Sequence, residues 1–126
     1  MSPAKPKPKI LVIEDEAGIR ALIQRALEGS YDVRQASDGT EGVKLARWEK
    51  PDLILLDLRM PGISGIEVLA QLKANKDTSG IPVVIVSGKG DTDALLHGQR
   101  AGAIDHIIKP FEIPTLLKVV QHYLPW

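Results

Sequence analysis

Leu53-Ile54-Leu55-Leu56-Asp57 is a short apolar run closed by a carboxylate, and Leu58-Arg59-Met60-Pro61-Gly62 follows it directly. A run this short and this apolar reads as a strand buried on both faces. Its last residue then lies where an open parallel sheet binds ligands, beyond the carboxyl ends of the strands. Other runs end the same way. Glu14-Asp15 closes Ile10 to Ile13, Ser87 closes Val83 to Val86, and Lys109 closes Ile107-Ile108. Acid, acid, hydroxyl and amine at four run ends describe one site for a cation and a phosphoryl group.

Outward from that run, the candidate strands are Lys9–Ile13, Tyr31–Ala36, Leu53–Asp57, Pro82–Ser87 and Asp105–Lys109. Helical patterns separate them. Ile19, Leu22, Ile23, Ala26 and Leu27 follow the spacing of a buried stripe, ended by Gly29. Val43, Ala46 and Trp48 belong to a second helix, stopped before Pro51. Ile66, Leu69, Ala70 and Lys73 make a third, with Ser64 and Glu67 at capping-box spacing. Asp91 to Ala101 is a weaker fourth, because Gly98 interrupts it at a cost of about 1 kcal/mol relative to Ala. Ile113, Leu116, Leu117, Val120 and Leu124 form the fifth, with Pro114 suited to its first turn. Strand–helix alternation repeated this way predicts right-handed crossovers and a doubly wound α/β domain with helices on both faces of a parallel sheet.

The chain has 126 residues, the size of one domain with a substantial core. Sixteen basic and sixteen acidic residues cancel, so no global field draws it to nucleic acid or an anionic membrane. It has no cysteine, which excludes disulfides, thiolate metal sites and a Cys nucleophile and accords with a cytoplasmic location. No apolar stretch approaches the ~18–20 residues that span a bilayer. Residues 1–8, alternating Lys and Pro, read as a flexible, extended lead-in rather than a signal peptide, leaving 9–124 as the folded domain.

Glu14, Asp15 and Asp57 converge, on this reading, at one sheet edge. Carboxylates packed so closely raise one another's pKa unless a cation relieves them. All-oxygen ligands favour Mg²⁺, which takes one or two carboxylates and keeps positions for water or phosphate oxygens. Lys109 adds a positive charge from another strand, Ser87 a hydroxyl, and Gly88 leaves space beside it. The set suits a carboxylate nucleophile with electrostatic clamps on a transferred group. Ser87 itself has no candidate base, since no histidine ends a run beside it. Glu14-Asp15 also reads as an N-cap pair for the first helix, Asp15 serving both ends. His97 and His122 read as helix-surface residues.

Ile13-Glu14-Asp15-Glu16, Asp57-Leu58-Arg59-Met60-Pro61-Gly62 with Gly65, Ser87-Gly88 and Lys109-Pro110-Phe111 occur in this order. With them the chain resembles the receiver (response-regulator) domain of two-component signal transduction, in its single-domain form, from about residue 9 to 124. The resemblance implies a flavodoxin-like five-stranded sheet of order 2-1-3-4-5. It implies that Asp57 is the phosphoacceptor for a sensor histidine kinase or histidine phosphotransfer protein, and that Mg²⁺ is bound by Asp15, Asp57 and the backbone carbonyl of Arg59, with Glu14 acting through a water. Lys109 would contact the phosphoryl oxygens, and its bond to Pro110 would be cis. Ser87 would swing towards the phosphate while His106, at the family's aromatic position, changes rotamer with it.

Glu14 for the more usual Asp, Ser87 for the frequent Thr, and His106 are departures that bear on switching amplitude and phosphate lifetime. Arg59 and Lys89 would flank the site and tune hydrolysis. The implied output is the surface of the fourth helix, fifth strand and fifth helix, roughly Asp91–Tyr123, offered to a downstream protein or to a homodimer partner. That is a signalling switch acting only on itself, not a turnover enzyme. Two rivals differ in kind. A phosphorylation-independent binding module would not need the intact acidic trio and Lys109, and a small-molecule phosphotransferase would need a substrate pocket.

Overall fold

The computed structural model describes residues 7–125, so the lead-in expected over 1–8 lies almost wholly outside the described residues. Pro8 is buried, and its carbonyl accepts the Asp32 N–H at 2.9 Å. Ten elements alternate along the chain. They are β1 (Lys9–Ile13), α1 (Ala17–Leu27), β2 (Asp32–Ala36), α2 (Gly39–Glu49), β3 (Leu53–Asp57), α3 (Gly65–Ala74), β4 (Val83–Gly88), α4 (Thr92–Arg100), β5 (Asp105–Lys109) and α5 (Ile113–Tyr123). The strands form one parallel sheet in the order β2-β1-β3-β4-β5, the flavodoxin-like arrangement.

Period-two alternation divides the sheet's side chains between two cores. Ile10, Val12, Leu53, Leu55, Val84, Val86 and Ile107 point to one face, covered by Ile23 and Leu27 of α1 and Leu116 and Val120 of α5. Leu11, Ile13, Ile54, Leu56, Val83 and Ile85 point to the other, covered by Ala46 of α2, Val68, Leu69 and Leu72 of α3, and partly by Ala94 and Leu95 of α4. All five residues of β3 are buried, as its continuous apolar run requires.

Some boundaries differ from the sequence expectation. Tyr31 precedes β2 instead of opening it, and it is buried under the α1 side of the sheet. Leu22 is 43% exposed: in α1 the fully buried line is only Ile23 and Leu27, one turn apart. Trp48 is 84% exposed, because Gly39, Gly42 and Ala46 occupy the inner face of α2. Glu16 holds the N-cap position of α1 without a side-chain cap bond, so Asp15 does not cap that helix. Ser64 does cap α3, its Oγ accepting the Glu67 N–H at 3.2 Å.

Gly98 has a packing reason. A Cβ there would collide with Ile85 Cδ1, so glycine lets α4 lie close on the sheet. No helix among the described residues is long and apolar enough to cross a membrane.

Candidate functional site

β1 and β3 are adjacent strands whose connections leave in opposite directions across the sheet, and such a switch point opens a crevice at the strands' carboxyl ends. Glu14 and Asp15 follow β1 into that crevice, and Asp57 ends β3 there. The Glu14 N–H still bonds Ala36 O at 3.1 Å, extending the pairing with β2 by one residue. Arg20 reaches back from α1, its Nη1 donating to Glu14 O at 2.7 Å and Asp15 O at 3.0 Å. That guanidinium fixes the acidic turn from behind.

Asp57 is held from its own loop, where Oδ1 accepts the Arg59 N–H at 3.1 Å. The start of α3 presses on the same backbone. Gly65 N–H donates to Leu58 O at 3.0 Å, and a Cβ at Gly65 would collide with the Asp57 carbonyl oxygen and Leu58 Cα. Only glycine lets that helix begin so close to the Asp57 backbone.

One carboxylate oxygen each from Glu14, Asp15 and Asp57 lie within 4.8 Å of one another. Lys109, arriving from β5, places Nζ 2.7 Å from Glu14 Oε1 and 3.3 Å from Asp57 Oδ2. Burial pushes the Glu14 carboxyl up to about 7; the neighbouring Asp57 adds to the rise and Lys109 opposes it. For Lys109, burial pulls the ammonium down, but the two carboxylates outweigh it and the net shift is upward. Three acids facing one ammonium leave an uncompensated negative charge among oxygen donors, which fits a hard divalent cation.

The site opens to solvent through a cleft of about 420 Å³, walled by Asp57, Arg59 and Lys109 and by the loop Gly88, Lys89, Gly90 and Asp91. Glu16 also lines it, a residue that the sequence reading did not place in the site. Asp91 was missed as well. Its Oδ2 accepts the Gly88 N–H at 3.0 Å, and its Oδ1 is paired with the Arg59 guanidinium, so one buried carboxylate ties the β4–α4 loop to the β3–α3 loop across the cleft. The signal available in the sequence was an acid three residues after Gly88, a spacing that suits a loop-closing carboxylate.

Ser87 and His106 stand apart from the carboxylates. By alternation Ser87 shares the face of Val83 and Ile85, whereas Asp57 and Lys109 share that of Leu55 and Ile107. Ser87 is 1% exposed, it is not part of the cleft wall, and its Oγ has no hydrogen-bond partner among the described residues. His106 pairs in register with Ile85, on the same α4 side, and is half-buried. The Lys109–Pro110 bond is cis, as the resemblance implied. His97 and His122 are exposed, as expected of helix-surface residues.

Residues 10–121 match the family described as the response regulator receiver domain. The chain belongs to that family. Sporulation initiation phosphotransferase F of Bacillus subtilis is 36% identical over 118 residues, covering 93% of this chain and 94% of that protein. Protein PilH of Pseudomonas aeruginosa is 38% identical over 117 residues, covering 92% of this chain and 97% of its own. Among solved structures, the chemotaxis protein CheY4 of Vibrio cholerae superposes with a TM-score of 0.87 at 27% identity, over 93% of this chain and 98% of that one. Receiver domains are signalling switches of two-component systems, and the acidic cluster here is one that could hold a metal ion.

Proposed function

We propose that this receiver domain accepts a phosphoryl group on Asp57 from a histidine kinase or histidine phosphotransfer protein in a Mg²⁺-dependent, cytoplasmic relay. The folded domain of 9–124 then signals by a change in its α4–β5–α5 surface, read by a downstream protein. One observation carries the reading: Asp57 is a buried carboxylate reached from a solvent-open cleft, with an ammonium 3.3 Å from one of its oxygens and two further carboxylates beside it.

The transfer is a displacement at phosphorus. A carboxylate oxygen of Asp57 forms the new P–O bond as the P–N bond to the donor imidazole breaks, and the departing nitrogen keeps the electron pair. Asp15, Asp57 and the Arg59 backbone carbonyl would hold Mg²⁺, with Glu14 linked through water. Bound there, Mg²⁺ supplies positive charge against the phosphoryl oxygens. Lys109 neutralises a phosphoryl oxygen directly, and its contact with Glu14 keeps the ammonium aimed at the acceptor.

Ser87 donates its hydroxyl to the arriving group, which accounts for a buried Oγ without a hydrogen-bond partner among the described residues. Moving it draws on Gly88 and the loop behind it, with His106 repacking on the α4 side. The added charge of about −1.5 to −2 thereby biases a two-state loop and helix. The domain acts on itself and turns over no external substrate.

Intact-mass analysis after acetyl phosphate or phosphoramidate tests this directly. One phosphoryl group is expected on the wild type with Mg²⁺, and none without the metal or in Asp57→Asn. No gain with either donor would remove the reading and leave a phosphorylation-independent module on the same fold.

A further inference from the structure

Trp48 has no structural task in this fold. Its side chain stands 84% exposed on α2, whose inner face is made by Gly39, Gly42 and Ala46. Lys44, Arg47 and Trp48 fall at i, i+3 and i+4, so they share one outer face. With Asp77 from beyond α3 they line a shallow groove of about 300 Å³. Lys50 follows at the helix end, exposed and in the left-handed conformation at φ 46°.

Of the groove's charged residues Lys44 and Arg47 are basic and Asp77 is acidic, and with Lys50 two residues beyond Trp48 the balance is positive. Glu49, the nearest acid in sequence, turns away to pair with Lys9 at 3.0 Å and Arg34 at 3.5 Å. Glu41 is taken up by the Ser37 N–H at 3.1 Å. None of Lys44, Arg47 and Lys50 makes an ion pair among the described residues. Cations in a last turn favour a helix C-terminus, which accounts for Arg47 and Lys50. That argument does not extend to an exposed tryptophan or to Lys44.

We infer that the Lys44–Arg47–Trp48 face of α2 docks an acidic protein segment carrying an apolar side chain, the apolar group covering Trp48 and the carboxylates meeting the cations. Tryptophan and arginine are among the residues most enriched where binding energy concentrates, and a shallow groove with three charged residues in its lining suits a protruding side chain better than a small molecule, whose pockets are mostly apolar. Nucleic acid suits the face less well: three cations on a chain of zero net charge fall short of the six to ten phosphate contacts that typically drive such binding. The site lies outside the phosphoryl cleft and shares no lining residue with it.

The test is a titration of the ¹⁵N-labelled full chain with a synthetic twelve-residue peptide, rich in Glu and Asp around a central Leu-Leu pair. Its Gln/Asn counterpart runs alongside, and the Trp48 indole N–H signal is assigned through Trp48→Phe. Saturable, salt-sensitive shifts centred on Trp48, Arg47 and Lys44 are expected with the acidic peptide alone. Trp48→Ala and the double change Lys44→Glu, Arg47→Glu should each weaken binding about tenfold or more, while mass analysis finds phosphoryl uptake unchanged.

Shifts centred elsewhere, an equal response to the uncharged peptide, unaltered affinity in both variants, or no saturable shift at millimolar peptide would overturn the inference. So would binding of phosphatidylglycerol-containing vesicles or oligo-dT without a response to the peptide, which would assign the face to a membrane or nucleic acid.

Discussion

The two sides of the sheet end differ in how completely they are satisfied. On the α1–α5 side, Glu14, Asp57 and Lys109 interlock, with Arg20 and the Arg59 N–H holding the turns that carry the acids. On the α4 side, Ser87 Oγ is buried with no hydrogen-bond partner among the described residues, and α4 itself buries only Gly98, whereas α1 buries Ile23 and Leu27 and α5 buries Leu116 and Val120. Dense contact fixes one half, and sparse contact leaves the other able to move at low cost. On the proposed reading, the first part holds charge and the second responds to it.

The sharpest way to expose the fixed half is through its stored charge. Glu14 keeps its proton in the folded state up to about pH 7, while the unfolded chain releases it near 4.5. The folded state therefore binds more protons across that window, and stability must fall as pH rises through it. The drop is on the order of 3 kcal/mol and complete above the folded value. Denaturant unfolding at pH 5 and pH 8 in EDTA should reveal it, millimolar Mg²⁺ should flatten it, and Glu14→Gln should abolish it. An EDTA slope that survives in Glu14→Gln would place the strain elsewhere.

Two glycines compare the backbone beside Asp57 with the packing of α4 in a single experiment. At Gly65 a Cβ meets backbone, the Asp57 carbonyl and Leu58 Cα, which cannot rotate away. At Gly98 it meets the tip of the Ile85 side chain, which can. Gly65→Ala should cost about 3 kcal/mol, the upper end of the overpacking range, and, on the proposed function, disturb phosphoryl uptake because it pushes on Asp57. Gly98→Ala should cost about 1 kcal/mol, part of the overpacking being offset by better helix propensity. Equal losses in urea unfolding would mean that α4 is packed as rigidly as α3.

Much of this was legible in the residues. The apolar runs, each too short for a helix and each closed by a reactive side chain, place Glu14, Asp15, Asp57, Ser87 and Lys109 at one sheet edge. The structure brings the acids and the lysine together there. What the runs could not convey was sidedness at the edge. Ser87 closes its strand on the opposite face from Asp57, a matter of strand register that no single run contains. Contacts made by long side chains across loops were equally hidden: the Arg20 tether and the Arg59–Asp91 pair depend on rotamers and loop paths, not on local pattern. Leu22 and Trp48 failed the other way, being apolar residues whose helices had already spent their inner faces on smaller neighbours.

A smaller effect tests the responsive half at Ser87. Removing an unpartnered buried hydroxyl relieves a desolvation penalty, so Ser87→Ala should stabilise the resting fold by about 1 kcal/mol. Calorimetry should find Tm raised by about 4 °C. The same change should shorten the lifetime of phosphoryl-Asp57 if that hydroxyl binds the group. A lower Tm would mean that Ser87 Oγ is already satisfied in the resting state.

The smallest effect belongs to the strap between the halves. Arg59 has a side chain 77% exposed, so its pair with Asp91 contributes only ~0.2–1 kcal/mol. Its importance is positional, because Asp91 also accepts the Gly88 N–H and so transmits the pull of Arg59 to the residue next to Ser87. Arg59→Ala should leave global unfolding nearly unchanged while hydrogen exchange at Gly88 to Asp91 speeds up several-fold. Asp91→Asn keeps an oxygen for the Gly88 N–H and loses the charge, so it should reproduce Arg59→Ala, and combining the two should add nothing. Asp91→Ala should do more, since it frees the Gly88 N–H as well. Unchanged exchange in all three variants would mean that the loop is held by its own backbone turn, the Asp91 N–H to Gly88 O bond at 3.2 Å, and that the two halves meet without a strap.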